Sequence, residues 1–287
     1  MVRQIHSPEP RAARRAPDAR GQIAKKSSGW CSLRRSWFRS WRGAARLASL
    51  QAGLAASDAE SLALRRDFIR TYLERDIPQF GPRIPAATLE RLWALLAHHQ
   101  GGLLNASSIA RALELSAQTV TRYIDLLVDL LLVRRLPPVG ANVAKRLVRS
   151  PKVYVRDSGL VHALLGIGSL SQLSGHPVQG ASWEGMVIES LLAAAPWGTR
   201  AGFYRTAAGA EIDLVLEFPG GQRWAVEIKR SQAARPARGF HSALADLRPE
   251  GAFVVHAGDA RYPLGDGIEA LPIRALAARL RDGPIQR

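Results

Sequence analysis

Between positions 211 and 229 the chain allows one simple strand register, and that register limits what this half of the sequence can become. Residues 211–218 and 223–229 have the alternating, β-branched character of strands, with Pro219-Gly220-Gly221 as the turn between them. In antiparallel pairing, opposed residues share a face, and a slip of one residue moves every side chain to the other face. With Leu214 opposite Val226, Ile212 meets Ile228 and Leu216 meets Trp224 on an apolar face, while Glu211 meets Lys229 and Glu217 meets Arg223 on the other. The same register sets Asp213 directly against Glu227. Two carboxylates so placed repel unless a cation lies between them.

A divalent cation reverses the sign of that repulsion, and hard oxygen ligands suit Mg2+ or Mn2+. Asp213 and Glu227 are therefore the expected metal ligands. Lys229, two residues beyond Glu227 on the same face, is the expected catalytic cation, orienting water and offsetting transition-state charge. The competing interpretation makes Glu211–Lys229 and Glu217–Arg223 ordinary cross-strand ion pairs on a solvated face, each worth little.

Around this hairpin the pattern predicts a helix over 183–195, capped by Ser182, with Glu184 in its first turn and Val187, Ile188 and Leu191 on its buried face. Glu184 either completes the metal shell through water or only stabilises the helix N-terminus. Strands over 202–206 and 252–256 and a helix over 240–247 complete this half, and the Gly- and Pro-containing stretch 175–180 marks its start.

Upstream the period is helical. From Ser57 a helix runs to Pro78, and a second spans 86–99, aligning Leu89, Leu92, Trp93, Leu96 and Ala97 before Gly101-Gly102. Then comes a helix-turn-helix pattern: Asn105 caps 107–113, residues 114–116 turn, and 117–132 form the longer helix. Residues 133–136 and 149–155, separated by Pro137-Pro138, read as a β-wing, so the unit is expected to be a winged helix. On DNA, Gln118, Thr119, Thr121 and Arg122 would face the major groove. Arg134, Arg135, Lys145, Arg146 and Arg149 would hold phosphates, with Arg205 and Arg230 as further nucleic-acid contacts.

Charge supports this partner only in part. Residues 1–50 hold 12 Lys and Arg against Glu9 and Asp18, so they carry +10 of the formal +16 of the 287-residue chain. That segment, rich in Arg, Ala, Ser and Pro and without periodicity, is expected to be a disordered basic tail. The lone Cys31 excludes an intramolecular disulfide and a cysteine zinc cluster. No apolar run approaches the roughly 18 residues of a membrane span, so a cytoplasmic protein without membrane contact is expected. The expected organisation is a tail over 1–55, a helical and winged-helix domain over 56–160, and an α/β domain over 176–283.

Glu184 on a helix, then Asp213, then Glu227-Ile228-Lys229, resembles the PD-(D/E)xK nuclease superfamily. That resemblance implies an α+β chain whose second domain is restriction-endonuclease-like with a central mixed sheet, and implies metal-dependent cleavage of nucleic acid. Over residues 57–281 the segments Tyr72-Leu73-Glu74-Arg75-Asp76-Ile77, Ser150-Pro151-Lys152-Val153-Tyr154, Trp183-Glu184-Gly185 and Tyr204-Arg205-Thr206 occur in order. Together with Glu227-Ile228-Lys229 they resemble the C-terminal half of a prokaryotic AAA-type ATPase family whose terminal domain has no settled function. Members begin with a P-loop domain, but Gly-x-x-x-x-Gly-Lys-Ser/Thr does not occur here, so no ATP site and no ATPase activity are expected of this sequence. Residues 1–50 would then be a truncated remnant standing where the ATPase half belongs. The alternatives to a nuclease are a non-enzymatic DNA- or protein-binding module, or a fragment without function.

Overall fold

The computed structural model describes residues 57–80, 84–140 and 147–283, all within one compact unit, Gly43–Arg287. The basic segment 1–50, Lys145 and Arg146 lie outside the described residues. The architecture is α+β, with helices followed by a six-stranded mixed sheet.

Helix α1 (Asp58–Thr71) opens on Ser57, whose side chain accepts from the Glu60 N–H, with Asp58 and Glu60 in its first turn. Its α-geometry stops well before Pro78 and gives way to a π-helical turn, Tyr72–Asp76, and a 3-10 turn, Ile77–Phe80. Proline lacks the N–H and crowds the carbonyl four residues back, so the helix changes pitch ahead of it. Helix α2 (Ala86–His98) buries the five residues that the periodicity aligned, and Gly101 turns the chain at φ 73°.

Helices α3 (Ala106–Leu113) and α4 (Ala117–Asp129) are capped by Asn105 and Ser116, which accept from Ser108 and Thr119 N–H at 3.0 Å each. Glu114, left-handed at φ 56°, makes the turn between them. Ile109, Leu113, Val120, Ile124 and Leu127 are buried in one core with α1 and α2. Helix α4 ends before the expected Leu132, because Leu131 adopts φ 61° and that conformation cannot continue a right-handed helix. Strands β1 (Val133–Leu136) and β2 (Lys152–Val155) then pair antiparallel.

Two short helices, α5 (Ser158–Leu164) and α6 (Leu170–Ser174), precede α7 (Gln179–Ala194). Helix α7 starts earlier than the sequence predicts. Ser182 is not its cap: the buried Ser182 hydroxyl lies 2.9 Å from His162 Nε2. Glu184 accordingly sits inside the helix rather than at its N-terminus.

The sheet order is β3 (Arg200–Arg205), β4 (Glu211–Glu217), β5 (Arg223–Ile228), β6 (Gly251–His256), β8 (Ile268–Pro272) and β7 (Tyr262–Gly265). β3, β4 and β5 are antiparallel, β5, β6 and β8 are parallel, and β7 returns antiparallel to β8. Helix α8 (Arg238–Leu247) packs Phe240, Ala243 and Leu247 against Ile212, Val215, Ala225 and Val254 on one face. Helix α9 (Ile273–Asp282) lies with α7 against the other, where Arg279 covers the Phe253 ring at 5.2 Å.

The β4–β5 register is the predicted one where the two strands pair: Leu214 faces Val226, Leu216 faces Trp224 and Glu217 faces Arg223. It stops there, because β4 carries a bulge in which Asp213 and Leu214 together oppose Phe203 of β3. Ile212 therefore joins Val215 on the α8 face, and the expected Ile212–Ile228 and Glu211–Lys229 pairs do not form. Ile228 N–H donates instead to the Asp213 carboxylate at 2.9 Å.

The outer edge of β3 is covered by the connection between β1 and β2. Phe203 N–H donates to Pro137 O at 3.0 Å, Val139 N–H to Phe203 O at 2.7 Å, and Val148 N–H to Arg205 O at 3.1 Å. Gly202 permits this approach, since a Cβ there would sit 2.7 Å from Pro137 O. The expected wing is thus fastened to the sheet rather than projecting from the helices.

Candidate functional site

The densest cluster of charge in the sheet region centres on Lys152. Strand β2 is buried along its whole length, which carries the Lys152 side chain, only 5 % exposed, to the sheet. Its Nζ lies 3.2 Å from Glu184 of α7, 3.0 Å from Glu211 and 3.8 Å from Asp213 of β4. Burial depresses the ammonium's pKa, but the three surrounding carboxylates outweigh it and leave Lys152 above its ordinary value. Tyr154, on the same strand, donates to Glu184 Oε1 at 2.5 Å, and burial together with that carboxylate pushes its phenol up.

Asp213, 18 % exposed, is pushed up to about 7 by burial and by Glu184, with Lys152 and the Ile228 N–H opposing and Glu211 adding to the rise. Three acids share one lysine, so the group with the least access to a cation holds its proton most readily.

Glu227 lies elsewhere. It is on the α8 face, where its carboxylate accepts from Ala237 N–H at 3.2 and 3.1 Å just ahead of α8 and pairs with Lys229 Nζ at 2.7 Å. The bulge turns Asp213 toward Lys152 and α7, on the opposite face of the sheet. The structure therefore brings Glu184 and Asp213 together around Lys152, and Glu227 with Lys229, but does not bring Asp213 and Glu227 to a common gap. A metal held between those two acids does not fit this arrangement, because Glu227 is paired with Lys229 on the α8 face while Asp213 shares Lys152 with Glu184 and Glu211 on the other. Among the described residues no group of three His, Cys, Asp or Glu side chains is placed to hold a metal ion.

Helices α3 and α4 are joined by the tight turn at Glu114. Gln118, Thr121 and Arg122 are exposed at the start of α4, and Thr119 is half-buried, its N–H taken by the Ser116 cap. Thr121 hydroxyl donates to Ala117 O at 2.9 Å. Asp125 pairs with Arg135, which neutralises this acid on α4.

Several arginines assigned to phosphates are committed elsewhere. Arg134 and Arg156 (2.9 Å) both hold Glu189 of α7. Burial raises the Glu189 pKa, but the two guanidiniums more than compensate and hold it below the usual carboxylate range. Arg205 reaches Glu211 at 3.6 Å. Arg149 and Arg230 remain exposed.

Sequence reasoning did not find the Lys152 cluster or the Arg134–Glu189–Arg156 group. A signal was present: Lys152 and Tyr154 sit in a strand whose apolar neighbours on both sides mark it for full burial, and a buried lysine requires acidic partners.

Comparison with known proteins gives families rather than functions. Residues 51–171 match the domain of unknown function DUF8612. Residues 179–276 match the domain of unknown function DUF4143. Uncharacterized proteins of Mycobacterium tuberculosis and Mycobacterium bovis are each 45 % identical over 219 residues, which is 76 % of this chain and 49 % of the relative. The chain thus spans about half the length of the curated relatives it matches. No solved structure matches it significantly. Among the described residues no helix is long and apolar enough to cross a membrane.

Proposed function

We propose that this chain is a DNA-binding module, corresponding to the C-terminal half of an AAA-type ATPase, that engages duplex DNA through its winged-helix-like part without metal-dependent cleavage. The observation that carries the reading is the surface of α4. A tight left-handed turn presents the start of that helix, where Gln118, Thr121 and Arg122 are exposed and Arg135 neutralises Asp125. A helix so placed is the element that enters a major groove, its first residues meeting base edges. Arg149 and Arg230, exposed, supply phosphate contacts whose strength falls with salt.

The restriction-endonuclease-like character of the sheet domain is retained in this reading as ancestry of fold. Cleavage is disfavoured because Asp213 and Glu227 occupy opposite faces, Glu227 paired with Lys229 and Asp213 sharing Lys152 with Glu184 and Glu211. The test is fluorescence anisotropy with labelled duplex DNA across a salt series, followed by incubation of branched, single-stranded and duplex DNA with Mg2+ or Mn2+. Binding should weaken with salt, and Arg122→Ala should cost about 1–3 kcal/mol of affinity. Absence of salt-sensitive binding refutes DNA as the partner, and cleavage lost in Lys229→Ala refutes the non-enzymatic assignment.

A further inference from the structure

Most arginines of the sheet region meet a carboxylate. Arg200 and Arg223 hold Glu217, Arg205 reaches Glu211, Arg274 holds Asp259 and Arg279 holds Glu269. The connection from β5 to α8 differs: Arg230, Arg235 and Arg238 are exposed and make no ion pair among the described residues. Between Glu227 and Asp246 the chain holds no acid. Glu227 is itself buried against Lys229 and Ala237 N–H, and Asp246 accepts from the Tyr204 hydroxyl at 2.9 Å. The positive charge of this connection is therefore left unanswered by its neighbours in sequence.

The backbone that carries these arginines is fastened at four places. Lys229 N–H donates to Val255 O at 2.8 Å. The Tyr262 hydroxyl accepts from Ala234 N–H at 3.0 Å and donates to Gln232 O at 3.2 Å, and Ala234 is buried. Ala237 N–H donates to Glu227 at 3.1 Å. Gly239 passes so close to the β3–β4 turn that a Cβ there would come within 2.5 Å of Gly209 O. Each arginine is next in sequence to one of these anchored residues. Like charges displayed from a pinned backbone are relieved by incoming counter-charge rather than by movement of the chain.

The chemistry of the display selects the counter-charge. Guanidinium groups offer planar, paired donors that match phosphate oxygens. Among the described residues the exposed large hydrophobic side chains are Leu131 and Trp197, both in other parts of the chain. Ser231, Gln232, Ala233 and Ala237, exposed around the arginines, give a bilayer nothing apolar to receive. Three cations spread along a connection and into the first turn of α8 match a row of phosphates better than one compact anion.

We propose that the β5–α8 connection is a second nucleic-acid contact surface, in which Arg230, Arg235 and Arg238 hold phosphates of the phosphodiester backbone. The inference rests on the DNA-binding reading of the chain, in which Arg230 already takes part, and extends the contact from α4 to the sheet. A duplex and a single strand offer the same backbone chemistry.

The test is fluorescence anisotropy of the full chain with a labelled duplex and, in a separate arm, with one of its strands, each across a salt series. Replacing all three arginines by glutamine should lower the slope of log K against log salt by about 3 on the duplex, because each phosphate contact contributes about 0.9. Replacing them by lysine keeps the charge and should keep the slope. Arg200→Gln removes an exposed arginine that is paired with Glu217 at the other end of the sheet, and should leave the slope unchanged. Arg122→Ala separates the two surfaces: binding unaltered by that variant and lost in the triple glutamine variant removes α4 and keeps the β5–α8 connection. A loss confined to one probe assigns duplex or strand. The proposal is overturned if the triple glutamine variant keeps the wild-type slope, if Arg200→Gln lowers it as much as any one of the three, if neither probe binds, or if vesicles of anionic phospholipid bind the chain more tightly than either probe.

Discussion

At Asp213 a single carboxylate does what a backbone carbonyl does elsewhere in the ladder, taking the Ile228 N–H where the bulge has turned β4 aside. That position has a pH signature. An acid whose folded pKa rises from 3.8 to about 7 binds a proton more tightly in the native state, so its stabilising effect is complete at low pH and is lost as the pH climbs through about 7. Asp213→Asn keeps an oxygen for Ile228 and removes the charge. Urea denaturation should therefore find the variant more stable than wild type at pH 8 by about 1 kcal/mol or more, with the difference vanishing near pH 4. Glu189 has the opposite sign: Arg134 and Arg156 depress its folded pKa, so its contribution is present at neutral pH and disappears as the pH falls below the ordinary carboxylate range. Replacing it with alanine strands two guanidiniums against α7, and such a loss should cost about 3–5 kcal/mol, readable as a lowered urea midpoint.

At the scale of elements, the paired part of the hairpin from Glu211 was legible because alternation and turn chemistry are both local, and Leu214, Leu216 and Glu217 sit opposite the residues the sequence assigned them. The bulge was not. It arises from pairing with β3, ten residues upstream, and it moved Asp213 to the other face, taking the expected two-acid centre apart. The cap at Asn105 was chemically explicit and holds, whereas Ser182 fits the same rule and fails because residues 179–181 extend the helix past it. The β1–β2 connection resisted reading for a different reason: its partner is the edge of a sheet that begins some sixty residues later. Gly202→Val should expel that covering segment, since any side chain there meets Pro137 O. The freed β3 edge should then show as concentration-dependent aggregation in light scattering while the wild type stays clear.

On the scale of the molecule, the described residues bury a helical core around Trp93, Leu96 and Ile124 and a sheet core around Tyr204, Phe240 and Val254, joined by the Arg134–Glu189–Arg156 and Lys152 groups. A chain begun at Ser57 should therefore melt in one calorimetric transition. Two separate transitions would show that the joining groups do not couple the cores. The path of the backbone bears on how the protein would carry a load. From the helix-turn-helix it runs out to the sheet, comes back through β2, and only then enters α7, so the two parts are stitched twice rather than hinged once. Force applied to α4 by a bound partner would reach the rim of the sheet with little slack to absorb it, which suits a rigid transmission piece better than a swinging arm.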